Sequence, residues 1–181
     1  MWKWMMPTAA LVTGLTIFSG CATAPPSPEG KAALSHDVET ALAEAKVQDP
    51  SLQALLDGAY AYAIFPTVGK GAIGVGGAYG KGEVSERGKQ IGYCDLSQAT
   101  IGLALGGQSF TEIIAFEKPA ALDDFKNGNL KFAAQATATA LKTGTSSNAR
   151  YTDGVLVLTA NSRGLMAELS LGGQTFTFLP L

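Results

Sequence analysis

The sequence predicts an α+β domain: N-terminal helices packed on a glycine-rich, strongly coiled and mainly antiparallel sheet with a barrel-like or sandwich-like shape. Two observations carry this prediction. Apolar residues recur at helical spacing before residue 58, and the period changes to two residues from Ala59 onward. Twelve of the 22 glycines then fall between Gly69 and Gly107. So many glycines within strands indicate bulges, coiling or close backbone contact.

Three helices are predicted from apolar spacing and end signals. The first covers residues 28–47, because Ser27 can cap it and a proline follows that cap. A second, short helix begins after residue 49 and ends at Gly58. A third covers residues 119–126 and begins at a proline. The long first helix supplies an apolar stripe that can cover one face of the sheet.

Alternating apolar residues predict a series of short strands separated by glycine or proline. They lie at residues 59–65, 71–80, 82–86, 90–95, 100–106, 110–116, 130–140, 154–161, 164–171 and 174–179. Pro66 is expected to stop the first of these strands. The strand at 130–140 has one face of very small side chains, which leaves room for a neighbouring backbone or a ligand. Residues 142–149 form a polar loop, and Gly172-Gly173 suits a hairpin turn.

The first twenty residues have the pattern of an export signal. Lys3 supplies a positive charge, residues 5–18 are mostly apolar, and Phe18-Ser19-Gly20-Cys21 resembles a bacterial lipobox. In that motif the cysteine is diacylated and becomes the new N-terminus. We therefore expect a signal peptide at 1–20, a proline-rich tether at 21–28 and a folded domain at 29–181. An ordinary secretory signal or a membrane span is the alternative, but the apolar run is short for a bilayer of roughly 30 Å.

Acylation at Cys21 predicts where the protein resides. Buried acyl carbons contribute about 0.8 kcal/mol each, so several chains on one residue hold a protein at a membrane. Ala22 stands where an Asp would resemble the inner-membrane retention signal. For a Gram-negative source we expect a lipid-anchored protein of the outer membrane that faces the periplasm.

Composition argues against several classes of function. The chain has 13 basic and 15 acidic residues and no basic run, which disfavours nucleic-acid binding. Once Cys21 is acylated, Cys94 is the one remaining thiol, and we expect it to be buried. The single histidine, His36, stands early in a predicted helix. No metal site, cofactor or catalytic constellation follows from these residues, so a noncatalytic protein is predicted.

A glycine motif at residues 69–74 is a decoy. It matches the G-x-G-x-x-G pattern of dinucleotide sites letter by letter. That pattern requires a helix starting within the glycines, so that the helix N-terminus meets the pyrophosphate. Here residues 75–80 continue as strand or turn, so the sequence does not favour a dinucleotide site.

The basic residues that adjoin glycines are the candidate binding residues. Lys70 and Lys81 lie within the glycine-dense stretch and Arg163 precedes Gly164, so anionic headgroups could meet both backbone N–H groups and a cation there. Arg87 and Lys89 are second choices. The alternative is that the glycines serve packing alone and all five cations are merely solvated.

Four separated blocks resemble the SYLF domain, also called the Ysc84-like domain. The blocks are Ala63–Pro66 with Gly76–Gly82, Thr100–Gln108 with Ile113–Phe116, Ala121–Phe125, and Ser162–Ala167 with Leu169–Gly173. The resemblance covers about Leu55 to Phe178. It departs from the family at residues 91–95, where a Trp-Ser-x-Pro segment is usual, and at residues 142–145, where a Gly-Pro turn is usual.

The resemblance implies a module that binds anionic phospholipids, with phosphoinositides in eukaryotic members and a link to actin in fungi. A periplasmic protein meets neither actin nor phosphoinositides, so headgroup binding is the property expected here. Two alternatives stay open: an envelope structural module that holds another protein, and a carrier of an apolar ligand lined by Ala134, Ala136 and Ala138.

Overall fold

The fold combines four helices with five strands in the part of the chain that the structure describes. This computed structural model describes residues 23–130, 138–164 and 173–181. The helices are α1 (Pro28–Gln48), α2 (Leu52–Gly58), α3 (Pro119–Lys126) and α4 (Thr145–Asn148). The strands are β1 (Ala61–Glu86), β2 (Lys89–Phe116), β3 (Thr139–Ala140), β4 (Val155–Gly164) and β5 (Gln174–Pro180). These elements confirm the α+β class.

The helix predictions are confirmed to within a residue or two. Helix α1 begins where predicted, because the Ser27 hydroxyl accepts a hydrogen bond from the Gly30 N–H at 3.1 Å. Helix α2 ends at Gly58, as expected. Helix α3 begins at Pro119 and buries Leu122 and Phe125. Local start and stop signals therefore account for these three helices.

Of the five strand breaks predicted between residues 61 and 116, the one at 87–89 is confirmed and the other four are wrong. The chain instead forms two very long antiparallel strands, β1 and β2, joined at Arg87 and Gly88. Pro66 does not stop β1. The ladder shifts register between Phe65 and Val68. Pro66, which lacks a backbone N–H, therefore lies at an irregularity within one continuous strand. Two further register shifts interrupt the hairpin, between Ile73 and Val75 and between Val84 and Ser85.

The strands form one mainly antiparallel sheet. Its order is β1-β2-β4-β3, and β5 pairs with β2. The first half of β2 pairs with β5, and its second half pairs with β4. The short β3 is parallel to β4. Strand β2 is therefore paired along both edges over much of its length and is the centre of the sheet.

Glycines in β1 permit close contact between two parts of the same strand. A Cβ on Gly82 would lie 2.3 Å from the Ile64 carbonyl oxygen and 2.8 Å from the Phe65 ring. A Cβ on Gly80 would lie 3.0 Å from the Thr67 carbonyl oxygen. The second half of β1 thus passes over the first half with no room for side chains at these positions. This is the close backbone approach that the glycine density predicts.

Two apolar clusters lie on opposite faces of the sheet. In β2, Ile114 and Phe116 belong to one cluster, while Ile113 and Ala115 belong to the other. Helix α3 covers the first cluster, where the Phe125 ring lies 5.0 Å from Phe176 and 5.1 Å from Phe116. Helices α1 and α2 cover the second cluster. The sheet is therefore buried on both faces.

Several predictions concern the remaining segments. The predicted polar loop at 142–149 contains the short helix α4. Strands β4 and β5 confirm the predictions at 154–161 and 174–179. Of the small-residue strand predicted at 130–140, residues 131–137 lie outside the described part, as do residues 165–172 of the strand predicted after Gly164. Among the described helices, none has both the length and the apolar character needed to cross a membrane.

Candidate functional site

The Lys81 side chain contacts Thr23, the first residue that the structure describes. Its ammonium group is 3.5 Å from the Asp95 carboxylate and donates to the Thr23 carbonyl oxygen at 3.4 Å. It also lies 5.9 Å from the centre of the Tyr79 ring. Asp95 stands directly opposite Lys81 in the ladder, so strand pairing itself brings the two charges together. The Lys81 side chain remains 30% exposed.

The charge on Lys81 is maintained by its neighbours. Burial lowers the pKa of Lys81, but the hydrogen bond with Tyr79 and the negative charge of Asp95 outweigh burial and raise it overall. Lys81 is therefore a cation throughout the physiological pH range. A partly exposed ammonium beside an exposed aromatic ring is an arrangement that suits the boundary between water and lipid.

Arg87 and Lys89 lie together at the turn of the long hairpin, and both are exposed. The Arg87 backbone has a φ of 50° and Gly88 follows with a φ of 77°, which is the left-handed pair of a tight two-residue turn. The Arg87 guanidinium lies over the Tyr60 ring at 5.3 Å. The turn thus presents two cations to solvent, six residues along β1 from Lys81.

Lys70 and Arg163 are placed differently from the other candidates. Lys70 is only 8% exposed, and its charge acts on the buried Glu112. Arg163 pairs with Ser109 in the ladder between β4 and β2, but its side chain lies outside the described part. Lys70 and Lys81 accordingly stand beside different carboxylates, although both belong to the glycine-dense stretch.

Sequence reasoning missed a buried polar group centred on Glu112. The Glu112 side chain is fully buried, and Gln174 donates to its Oε2 at 3.1 Å. Thr159 stands opposite Glu112 in the ladder and is 1% exposed. Within the described part of the chain, no hydrogen-bond partner is found for three buried oxygens, Glu112 Oε1, Gln174 Oε1 and Thr159 Oγ1. A carboxylate in the stretch Phe110–Phe116, which is apolar apart from Thr111 and Glu112, is the signal that could have revealed this group.

The environment of Glu112 favours its neutral form. Burial raises the pKa of Glu112 to about 7, against smaller lowering effects of the Gln174 hydrogen bond and the Lys70 charge. An unpaired buried polar atom costs about 1–3 kcal/mol. Three such atoms near one another are a costly arrangement unless hydrogen-bond donors reach them.

Asp49 forms a second buried polar centre, and its role is structural. Its Oδ1 accepts hydrogen bonds from the backbone N–H groups of Ser51 at 3.1 Å and Gly144 at 3.0 Å. Its Oδ2 accepts from the Ser146 N–H at 2.6 Å. Burial raises the pKa of Asp49, but the hydrogen bonds from Ser51, Ser146 and Gly144 together lower it well below its usual range. Asp49 therefore ties the α1–α2 junction to the segment around α4.

A groove of about 270 Å³ lies between α1 and the sheet. Asp37, Thr40 and Glu44 of α1 line one side. Thr67 and Ser109 are among the residues that line the other side. Two carboxylates disfavour an anionic ligand here, so this groove is a poor site for a phosphate headgroup.

Cys94 is a poor nucleophile in this fold. The Cys94 thiol is fully buried, and burial raises its pKa well above the usual value, which disfavours the nucleophilic thiolate. His36 is exposed on α1. Within residues 23–130, 138–164 and 173–181, no three His, Cys, Asp or Glu side chains are grouped in a way that could hold a metal ion.

Comparison with known proteins supports the resemblance seen in the sequence. Residues 97–178 match the Ysc84 family, described as Las17-binding protein actin regulator. The chain is also similar to beta cell expansion factor A of Aeromonas veronii, with 25% identity over 150 residues. That similarity covers 82% of this chain and 57% of the relative, so the chain spans little more than half of the relative's length.

Proposed function

Because residues 97–178 of this chain are of the Ysc84 (SYLF) family, we propose that the protein is a noncatalytic lipid-binding lipoprotein whose folded domain contacts anionic phospholipid headgroups. The proposal includes the finer fold description made from the sequence, a glycine-rich sheet coiled into a barrel-like or sandwich-like shape. It also includes the signal peptide at 1–20, acylation at Cys21, and a place on the outer membrane facing the periplasm.

The observation that carries this proposal is the position of Lys81. A partly exposed cation stands between two glycines, Gly80 and Gly82, and beside the exposed ring of Tyr79. Its ammonium also contacts the backbone of Thr23, two residues after the proposed acylation site. A cation near an anionic membrane surface contributes about 1 kcal/mol to binding. One such contact is weak alone but adds to an acyl anchor that already holds the chain at the surface.

The other four cations contribute unequally in this proposal. Arg87 and Lys89 are exposed and flank Gly88 at the hairpin turn. Lys70 is 8% exposed and its charge acts on the buried Glu112, so it offers a headgroup little accessible surface. Arg163 stays a candidate on sequence grounds. We therefore rank Lys81 first, and the pair at the hairpin turn second.

Flotation with vesicles tests headgroup binding without the acyl anchor. A chain that begins at Ala22 should float with phosphatidylglycerol vesicles at low salt, and the bound fraction should fall at high salt because ions screen the charges. Lys81→Gln should weaken binding about fivefold, since roughly 1 kcal/mol is lost. Lys142→Gln, at another exposed lysine, is the matched control and should bind like the unchanged chain. Absence of enrichment on anionic vesicles would contradict headgroup binding and favour an envelope scaffold that holds another protein.

The unpaired oxygens around Glu112 favour a second candidate, a carrier of an amphiphilic ligand. Glu112, Thr159 and Gln174 offer three buried oxygens that have no hydrogen-bond partner among the described residues, beside an interior that contains Phe176. An amphiphile with hydroxyl or amine groups would supply donors to these oxygens and apolar chains to the interior. Of the three alanines predicted to line such a cavity, Ala138 is buried in the phenylalanine-containing cluster, while Ala134 and Ala136 lie outside the described part. Mass spectrometry of solvent extracts from the purified protein tests this candidate, and an extract without lipid would contradict it.

A further inference from the structure

Residues 23–25, the first that the structure describes, pack on the domain. Ala24 is 8% exposed and belongs to the apolar cluster under α1, and Pro25 is buried. The Thr23 carbonyl oxygen accepts from Lys81 at 3.4 Å. The path of the chain toward its N-terminus is therefore fixed against β1 as far as Thr23.

This contact limits how far Cys21 can be from Lys81. Two residues of extended chain span at most about 7 Å. The headgroup region of each leaflet is only about 5–8 Å thick. An acyl group on Cys21 enters the hydrocarbon, so Thr23 lies within about 15 Å of it. The ammonium of Lys81 is 3.4 Å from the Thr23 carbonyl oxygen and lies only slightly farther away.

Only part of the sheet surface around Lys81 is open to a membrane. One register row contains Tyr79, Ser97 and Thr175, and all three are exposed, with Tyr79 at 40%. The row on the other side of Lys81 contains Glu83 and Tyr93, which are buried, and Leu179 on β5, which is 44% exposed.

Helix α1 covers that second row. Ser35 donates to Glu83 at 2.6 Å, and the Lys31 ammonium lies 5.2 Å from the centre of the Tyr93 ring. A flat bilayer surface can therefore approach Lys81 from the side of Tyr79 but not from the side of Glu83.

We propose that the surface formed by Tyr79, Lys81, Ser97 and Thr175, here called the anchor-side surface, rests on the leaflet that holds the acyl chains of Cys21. This inference rests on the proposed lipid anchor and adds to it an orientation. The hairpin turn at Arg87 lies beyond the row of Glu83 and Tyr93, on the opposite side of Lys81 from Tyr79. Lys81 is then the cation nearest the headgroups, and Arg87 and Lys89, the second-ranked candidates, lie on the side of Lys81 that faces away from the leaflet.

Fluorescence quenching in vesicles tests the orientation with the full-length, lipidated protein. Ser97→Cys and Lys89→Cys are labelled separately with an environment-sensitive dye, since the native Cys94 is buried. The vesicles contain phosphatidylcholine, phosphatidylglycerol and a lipid with a nitroxide on its headgroup. Because the nitroxide is confined to a headgroup layer a few ångströms thick, quenching at position 97 should be on the order of threefold stronger than at position 89. Thr175→Cys provides a second anchor-side position if Ser97→Cys does not fold.

The outcomes separate this inference from the function on which it rests. Intact-mass measurement first establishes whether Cys21 carries acyl groups. If it does, and quenching at position 89 equals or exceeds that at positions 97 and 175, the orientation is wrong while the lipid anchor stands. If Cys21 carries no acyl group, both the anchor and the orientation are overturned. Strong quenching at positions 97 and 175 with weak quenching at 89 supports the orientation.

Discussion

Replacing Gly82 with alanine tests the close approach of the two halves of β1. The added Cβ would lie 2.3 Å from the Ile64 carbonyl oxygen and 2.8 Å from the Phe65 ring. Contacts under 3 Å to backbone force a shift, and both neighbours are fully or almost fully buried. The structure therefore has little freedom to relax around the new methyl group.

The expected cost follows from overpacking. Extra methyl groups in a packed core usually destabilise by about 1–3 kcal/mol, and backbone neighbours place this site at the upper end of that range. Gly69→Ala is the matched control, because no atom of the described residues lies within 4 Å of its added Cβ. The free energy of unfolding of this control should rise by about 0.4–1 kcal/mol, because alanine lowers the conformational entropy of the unfolded chain. We expect the two variants to differ by roughly 3 kcal/mol in free energy of unfolding.

Urea unfolding followed by circular dichroism measures this difference. The transition midpoint should fall for Gly82→Ala and rise slightly for Gly69→Ala, with similar slopes against urea. In a thermal scan the midpoints should differ by roughly 8 °C for a domain of this size. If the Gly82 variant is as stable as the Gly69 variant, the strand halves do not approach one another as described, and the glycine density needs another explanation.

Three further predictions concern buried charges and the hairpin turn. Asp49→Asn should cost about 2–3 kcal/mol at pH 7, because an amide cannot accept from every donor around Asp49. The lowered pKa means that this stabilisation is present above about pH 4 and is lost as pH falls, so urea titrations should show the two proteins converging toward pH 2. The raised pKa of Glu112 has the opposite effect on the pH dependence of stability. Wild-type stability should fall as pH rises from about 4.5 through 7. The free energy of unfolding of Glu112→Gln, measured relative to wild type, should therefore rise by roughly 2–3 kcal/mol as pH increases from 5 to 8. A difference that stays constant over this range would show that Glu112 does not titrate there. Gly88→Ala should cost about 1–2 kcal/mol from the positive φ alone, because its Cβ meets no atom within 4 Å; an unchanged urea midpoint would contradict the turn geometry.

The helices could be predicted from sequence, while the continuity of β1 and β2 could not. Ser27 and Pro119 act on their own turns of chain, so their effects can be interpreted locally. Pro66 also marks an irregularity, but pairing with β2 keeps the strand together on both sides of it. Whether a glycine or proline breaks a strand depends on partners dozens of residues away, which local patterns do not contain.

The candidate site was predicted only in outline for the same reason. Lys70 and Lys81 look alike in the sequence, since each stands between two glycines. Pairing then places Lys81 opposite Asp95, and folding buries Lys70 near Glu112. The type of residue and its glycine neighbours identify candidates, but exposure follows from which strands meet.

The long hairpin also bears on the order in which the protein folds. Glu86 pairs with Lys89 across a two-residue turn, whereas Ala61 pairs with Phe116 at the far end. Closing the larger loop first would cost roughly 3 kcal/mol more chain entropy than closing the turn. Pairing that advances stepwise from Gly88 avoids this barrier, because each new rung adds only a short segment. A tight turn at one tip of the molecule can thus set the rate at which strands join more than twenty residues away on either side.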